Sequence, residues 1–144
     1  MILIVVLDDK GGMLFNKRRQ SQDELLRMRI IELSKDSKLL MNAYSAKQFA
    51  NNKIPNLQVT PDPLEEAQAG QYCFVENIKV DNCEPQLEKI VIYKWNRRYP
   101  GDLYFNIPLE EHGWNCVSSS DFPGSSHEKI TEEIYVKADR ENEQ

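Results

Sequence analysis

The stretch of residues 15–26, FNKRRQSQDELL, sets three consecutive bases (Lys17, Arg18, Arg19) ahead of a carboxylate pair, Asp23 and Glu24. An apolar helical pattern begins directly afterwards. A carboxylate at a helix start can accept two parallel hydrogen bonds from an amidine-like edge. Bases beside the free N–H groups of a helix N-terminus can hold an anion. The same residues also suit structural roles. Ser21 with Glu24 three positions on makes a capping box, and an acid in the first turn gains about 0.3–1 kcal/mol from the helix dipole. Three bases in a loop also solvate it, so both readings stay open from these residues alone.

Other reactive side chains are few. The two histidines, His112 and His127, stand apart in sequence. His127 could act as an acid or base with Asp121 or Glu128 nearby, although a loop histidine is more often idle. His112 in EEHGW suits the end of a turn. Two histidines with no zinc-ligand spacing give no metal site. The three cysteines (Cys73, Cys83, Cys116) form no CxxC pair and read as reduced thiols, with Cys73 in the core. Neither a phosphate-binding GxxxxGK[ST] loop nor a GxSxG elbow occurs. Trp95, Tyr99 and Tyr104 beside Arg97 and Arg98 could stack on single-stranded bases, but strand aromatics usually pack.

A chain of 144 residues with 40% hydrophobic and 28% charged side chains has enough material for one ordinary core. The expected organisation is one domain over 1–137 with a solvated tail at 138–144. A net charge of −5 weighs against coating nucleic acid or an anionic membrane. No apolar run approaches the roughly 20 residues of a membrane span. The expected location is cytoplasmic, with no membrane partner.

The elements that must position these residues follow from periodicity. Ile2 to Leu7 is a continuous apolar run, as in a strand covered on both faces. A helix is predicted over Gln22 to Ser34, with Leu26, Ile30 and Leu33 at i, i+4, i+7. Strands are expected at Lys38 to Met41, Leu57 to Val59, Tyr72 to Val75, Leu87 to Trp95, Asp102 to Ile107, Trp114 to Ser118 and Lys129 to Lys137. Ser45 is placed as the cap of a brief helix, and Pro63 opens another that Gly70 closes. This order predicts an α/β domain with a mixed sheet flanked by helices and ending in an antiparallel C-terminal hairpin.

In that order, several blocks resemble the dihydrofolate reductase family. The first strand and its DDKGGM loop are similar to the family's opening strand and glycine-containing loop. SKLLMNAYSAKQF (37–49) resembles the block where a strand ends at a phosphate-holding helix N-terminus. LEKIVIYKWNRRYPGDLYF (87–105) resembles a later block, with Gly101, Asp102, Tyr104 and Phe105 matching. The resemblance implies a dihydrofolate-reductase-like fold, NADPH as cofactor and a pterin-like substrate. Asp23 matches the carboxylate that orients the pterin, which makes it the inherited catalytic position. Arg18, Arg19 and Leu26 join it as substrate-binding residues. Ser45, Asn42, Glu76 and Asn77 fall on the cofactor side.

This chain departs from the family there. Asn42-Ala43 replaces a glycine and a base, and Glu76-Asn77 replaces a glycine pair. An acid facing a pyrophosphate is repulsive at close range. The expected function is binding of a small pterin- or nucleotide-like ligand with a reduced or lost NADPH site. The alternatives are an NADPH-dependent reductase of a pterin or dihydrofolate-like substrate, and a non-catalytic module that binds protein or nucleic acid through basic surface residues.

Overall fold

A computed structural model describes residues 1–15, 18–19, 23–96, 103–125 and 127–137. The chain runs through β1 (Ile2–Leu7), β2 (Gly12–Phe15), β3 (Arg18–Arg19), α1 (Glu24–Ser34), β4 (Leu39–Met41), α2 (Ala43–Ala46), β5 (Leu57–Val59), α3 (Pro63–Glu66), β6 (Tyr72–Phe74), β7 (Lys89–Lys94), β8 (Leu103–Tyr104), β9 (Trp114–Phe122) and β10 (Ile130–Lys137). Short 3-10 segments lie at Lys47–Phe49 and Asp81–Gln86.

Seven strands form one mixed sheet in the order β5-β4-β6-β1-β7-β10-β9. The pairs among β5, β4, β6, β1 and β7 are parallel, while β10 is antiparallel to both β7 and β9. This is the expected mixed α/β sheet with an antiparallel end. A second sheet, in the order β3-β2-β8, stands beside it. Elements of two to four residues carry no periodicity, and this small sheet was not foreseen as a unit.

The run Ile2–Leu7 sits near the middle, and Leu3, Ile4 and Val5 are fully buried. On one face, Leu26 and Ile30 of α1 pack with Ile2, Ile4, Phe74 and Val91. Burying an aliphatic side chain of this kind contributes roughly 1.5–3 kcal/mol, so this stripe fixes α1 on the sheet. On the other face Met13, Val80, Leu87, Ile107 and Trp114 close over Leu3 and Val5.

The helix starts differ from expectation. The α1 cap is Asp23, whose Oδ1 accepts from Leu26 N at 3.0 Å, and the helix begins at Glu24. Ser21 lies outside the described residues. Ser45 is no cap either: Asn42 caps α2, its Oδ1 accepting from Ser45 N at 3.0 Å. Strand β4 runs straight into α2, so the residue directly after the strand must supply the cap. The α3 turn ends at Glu66, because Ala67 is already extended, and Gly70 (φ +78°) turns the chain later. Strand β9 extends to Phe122, past the expected Ser118, and forms one edge of the sheet.

Candidate functional site

From β1 the chain crosses to β4 on one side, and from β6 it crosses to β7 on the other. The chain leaving β4 goes outward to β5, so the connections part between the neighbouring strands β4 and β6. In open α/β sheets, ligands bind outside the carboxyl ends of the strands at such a reversal.

Three of the four expected cofactor-side residues lie at those carboxyl ends, and the fourth, Ser45, lies within α2. Asn42 follows β4, and Glu76 and Asn77 follow β6. The Asn42 Nδ2 donates to Asn77 Oδ1 at 2.8 Å, which bridges the two strand ends. Glu76 is buried, at 8% exposure. Ser45 is buried in α2, and its Oγ has no hydrogen-bond partner among the described residues. Side chains therefore occupy a place where a glycine pair would leave bare backbone.

On the face of the sheet opposite α1 a cavity of about 510 Å³ opens between α3 and the Asp81–Gln86 turn. Leu64, Ala67 and Ile78 supply apolar wall. Its polar lining includes Asp62, Glu65, Lys79, Asn82 and Gln86. Acids outnumber bases here, and the volume lies within the range of small-molecule sites. Cys83, at the same wall, donates its thiol to Val80 O at 3.0 Å, and burial pushes that thiol up to about 11.

The Asp23 neighbourhood is closed by protein. Its side chain is fully buried. Oδ1 accepts from both Leu26 N and Ser125 N, each at 3.0 Å. The Nδ1 of His127 stands 3.6 Å from Oδ2. His127 is itself buried, with its ring stacked on Trp95 at 4.1 Å between centroids and 21° between planes. Ser125 Oγ accepts from Glu24 N at 2.8 Å, and Gly124 N donates to His127 O at 2.9 Å. The loop between β9 and β10 thus folds onto the start of α1. Histidine 127 is no idle surface residue, because a stack with a distant tryptophan draws it inward.

Leu26 lies in the core beneath Asp23. Arg18 and Arg19 form β3, opposite Phe15 and Leu14 of β2. Arg97, Arg98, Tyr99, Gly101 and Asp102 lie outside the described residues.

Sequence reasoning missed one buried polar cluster. Glu132 accepts from Arg29 Nε at 2.8 Å and from Tyr93 OH at 2.8 Å. The Arg29 bond holds the Glu132 carboxyl below its ordinary range, while burial and the neighbouring carboxylate push the Tyr93 hydroxyl up. Alternation along β10 was visible, but the partners come from α1 and β7.

Among the described residues, no group of His, Cys, Asp or Glu could hold a metal ion. No described helix is long and apolar enough to cross a membrane.

No protein-family model matches this chain. No curated protein matches it in sequence. Its structure is similar to that of dihydrofolate reductase from Enterococcus faecalis, solved in complex with NADP(H) and RAB-propyl. The TM-score is 0.67 over 95% of each chain, at 12% identity. An identity this low speaks for architecture alone, and the architecture of this chain is dihydrofolate-reductase-like.

Proposed function

We propose that this chain binds a small nucleotide- or pterin-like ligand in the cavity beside α3, with the NADPH site of the reductase fold reduced. The observation that carries this reading is the cavity of about 510 Å³ between α3 and the Asp81–Gln86 turn. A planar ring fits between Leu64, Ala67 and Ile78, and Asn82 and Gln86 offer donors and acceptors to its edge. An acidic residue suits a ribose hydroxyl, whereas a 2′-phosphate calls for a base. Asp62 and Glu65 against the single Lys79 therefore favour a nucleoside without that phosphate. The Asn42–Asn77 bridge and buried Glu76 oppose a pyrophosphate at the strand ends.

A pterin held by Asp23, flanked by Leu26, Arg18 and Arg19, is the second reading. It has the matching carboxylate in its favour, and it requires the ligand to displace Ser125 N from Asp23 and to fit beside the His127 ring.

A thermal-shift titration separates the readings, using adenosine, NADH, NADPH, dihydrofolate and methotrexate in turn. Ligand at about 100 times its dissociation constant adds roughly 2.7 kcal/mol. The cavity reading expects stabilisation by adenosine or NADH, less by NADPH, and loss of the shift in Ala67→Phe. Stabilisation by methotrexate that disappears in Asp23→Ala favours the second reading. No shift with any compound refutes both.

A further inference from the structure

A second cavity, of about 480 Å³, lies on the opposite side of β1 and β7 from α1, under the segment that follows β8. Ile92 and Ile107 form its floor with Phe105, so its inner surface is largely apolar. Three polar side chains converge inside it. Lys94 Nζ stands 3.0 Å from Glu133 Oε1, and Tyr135 OH donates to the same oxygen at 2.9 Å. An apolar cavity of this size with a few convergent polar groups has the form of a small-molecule site.

The charge of the lining selects the ligand. Lys94 is the one base among the residues that line the cavity, and Glu133 already pairs with it. Asp8 accepts at Oδ1 from the Lys10 and Gly12 amides. Asp9 and Glu110 also line it, both are exposed, and neither pairs with Lys94. Trp114 is not the cation's seat, because Lys137 Nζ already stands 5.1 Å over its ring.

We propose that this cavity binds an organic monocation with a planar apolar body, the body packing on Phe105, Ile92 and Ile107 and the ammonium resting between Asp9 and Glu110. A site walled by low dielectric and rimmed by one sign of charge concentrates the opposite sign. An anion with the same body would meet those two carboxylates instead.

The test uses a pair of probes that differ in charge and share a ring. Tryptamine and indole-3-propionate are titrated separately into the protein by calorimetry, at low salt and again at physiological salt. Tryptamine is expected to bind at least tenfold more tightly than indole-3-propionate, and less tightly as salt rises. Asp9→Asn combined with Glu110→Gln should weaken tryptamine several-fold, and both positions are exposed, so the fold is spared. Lys94→Met, which removes the competing cation, should strengthen it. Failure of tryptamine to bind, equal binding of the two probes, or tryptamine binding that the rim variants leave unchanged would each overturn the proposal. Adenosine added as a competitor should displace neither probe, which keeps this result separate from the cavity beside α3.

Discussion

Gly124→Ala tests the contact between the β9–β10 loop and the start of α1. Gly124 does not adopt the left-handed backbone, so a substitution there is a question of space. An added Cβ would overlap Asp23 Oδ2 and stand 2.7 Å from Ile130 Cδ1. Both neighbours are buried and packed, so neither can swing away as a surface side chain would. Overpacking of this kind costs about 1–3 kcal/mol. Moving the carboxylate also strains the Ser125 N to Asp23 bond, and hydrogen bonds to charged groups are worth about 1.5–3 kcal/mol. Partial loss of that bond brings the expected total to about 2–4 kcal/mol. At roughly 3 °C per kcal/mol for a chain of this size, Tm should fall by about 6–12 °C. Urea unfolding followed by tryptophan fluorescence measures it directly, and the Trp95 signal reports the loop in the same experiment. Gly70→Ala is the control: nothing lies within 4 Å of its Cβ, and its φ of +78° alone should cost about 1–2 kcal/mol. A Gly124→Ala variant within about 0.5 kcal/mol of the parent, the range of an ordinary surface substitution, would refute the packing argument.

Other outcomes follow from the buried groups. Because Arg29 holds the Glu132 carboxyl below its ordinary value of 4.5, that pair stabilises the fold above this pH. The contribution is lost as pH falls below 4.5 through the lowered folded-state value, so acid unfolding should steepen there. Arg29→Met should cost about 2 kcal/mol at neutral pH, below the value for a fully buried pair since the guanidinium is 40% exposed. It should also flatten the acid limb; an unchanged limb would show that other carboxylates govern it. Native-state labelling with a thiol reagent should modify the exposed Cys116 first. Cys73, buried and pushed up to about 12, should react only after unfolding. Rapid native labelling of Cys73, followed by mass spectrometry, would contradict its burial.

The architecture was legible where a signal repeats along the chain. The unbroken Ile2–Leu7 run announced a strand covered on both faces, and the Leu26, Ile30 spacing placed α1 on one of them. The chain order of strands and helices then left few topologies. What escaped was set by contacts between distant residues or by elements too short to carry a period. Glu24 has its N–H on Ser125, a residue from the far end of the chain, and no local capping motif anticipates that. His127 is drawn inward by the flat surface of Trp95, with the Asp23 carboxylate 3.6 Å from its ring nitrogen. The Asp81–Gln86 turn contains Pro85, whose presence argues against a helix in a linear reading. The resemblance put Asn42 and Asn77 on the same side, but their bond to each other at 2.8 Å exists only because two parallel strands bring their ends together.

The position of β1 also governs when the protein can assemble. Its partners are β6 and β7, and the pairing of Leu7 with Lys94 joins residues 87 positions apart (94 − 7). During synthesis at about 5–20 residues per second, the most apolar strand must wait on the order of 5–20 s before its second neighbour exists. The nascent chain therefore carries an unsatisfied hydrophobic segment out of the ribosome tunnel until β7 has been made. Late closure of long loops makes such pairing slow even once the chain is complete. Production of this protein should depend on chaperone capacity more than the stability of its finished sheet suggests.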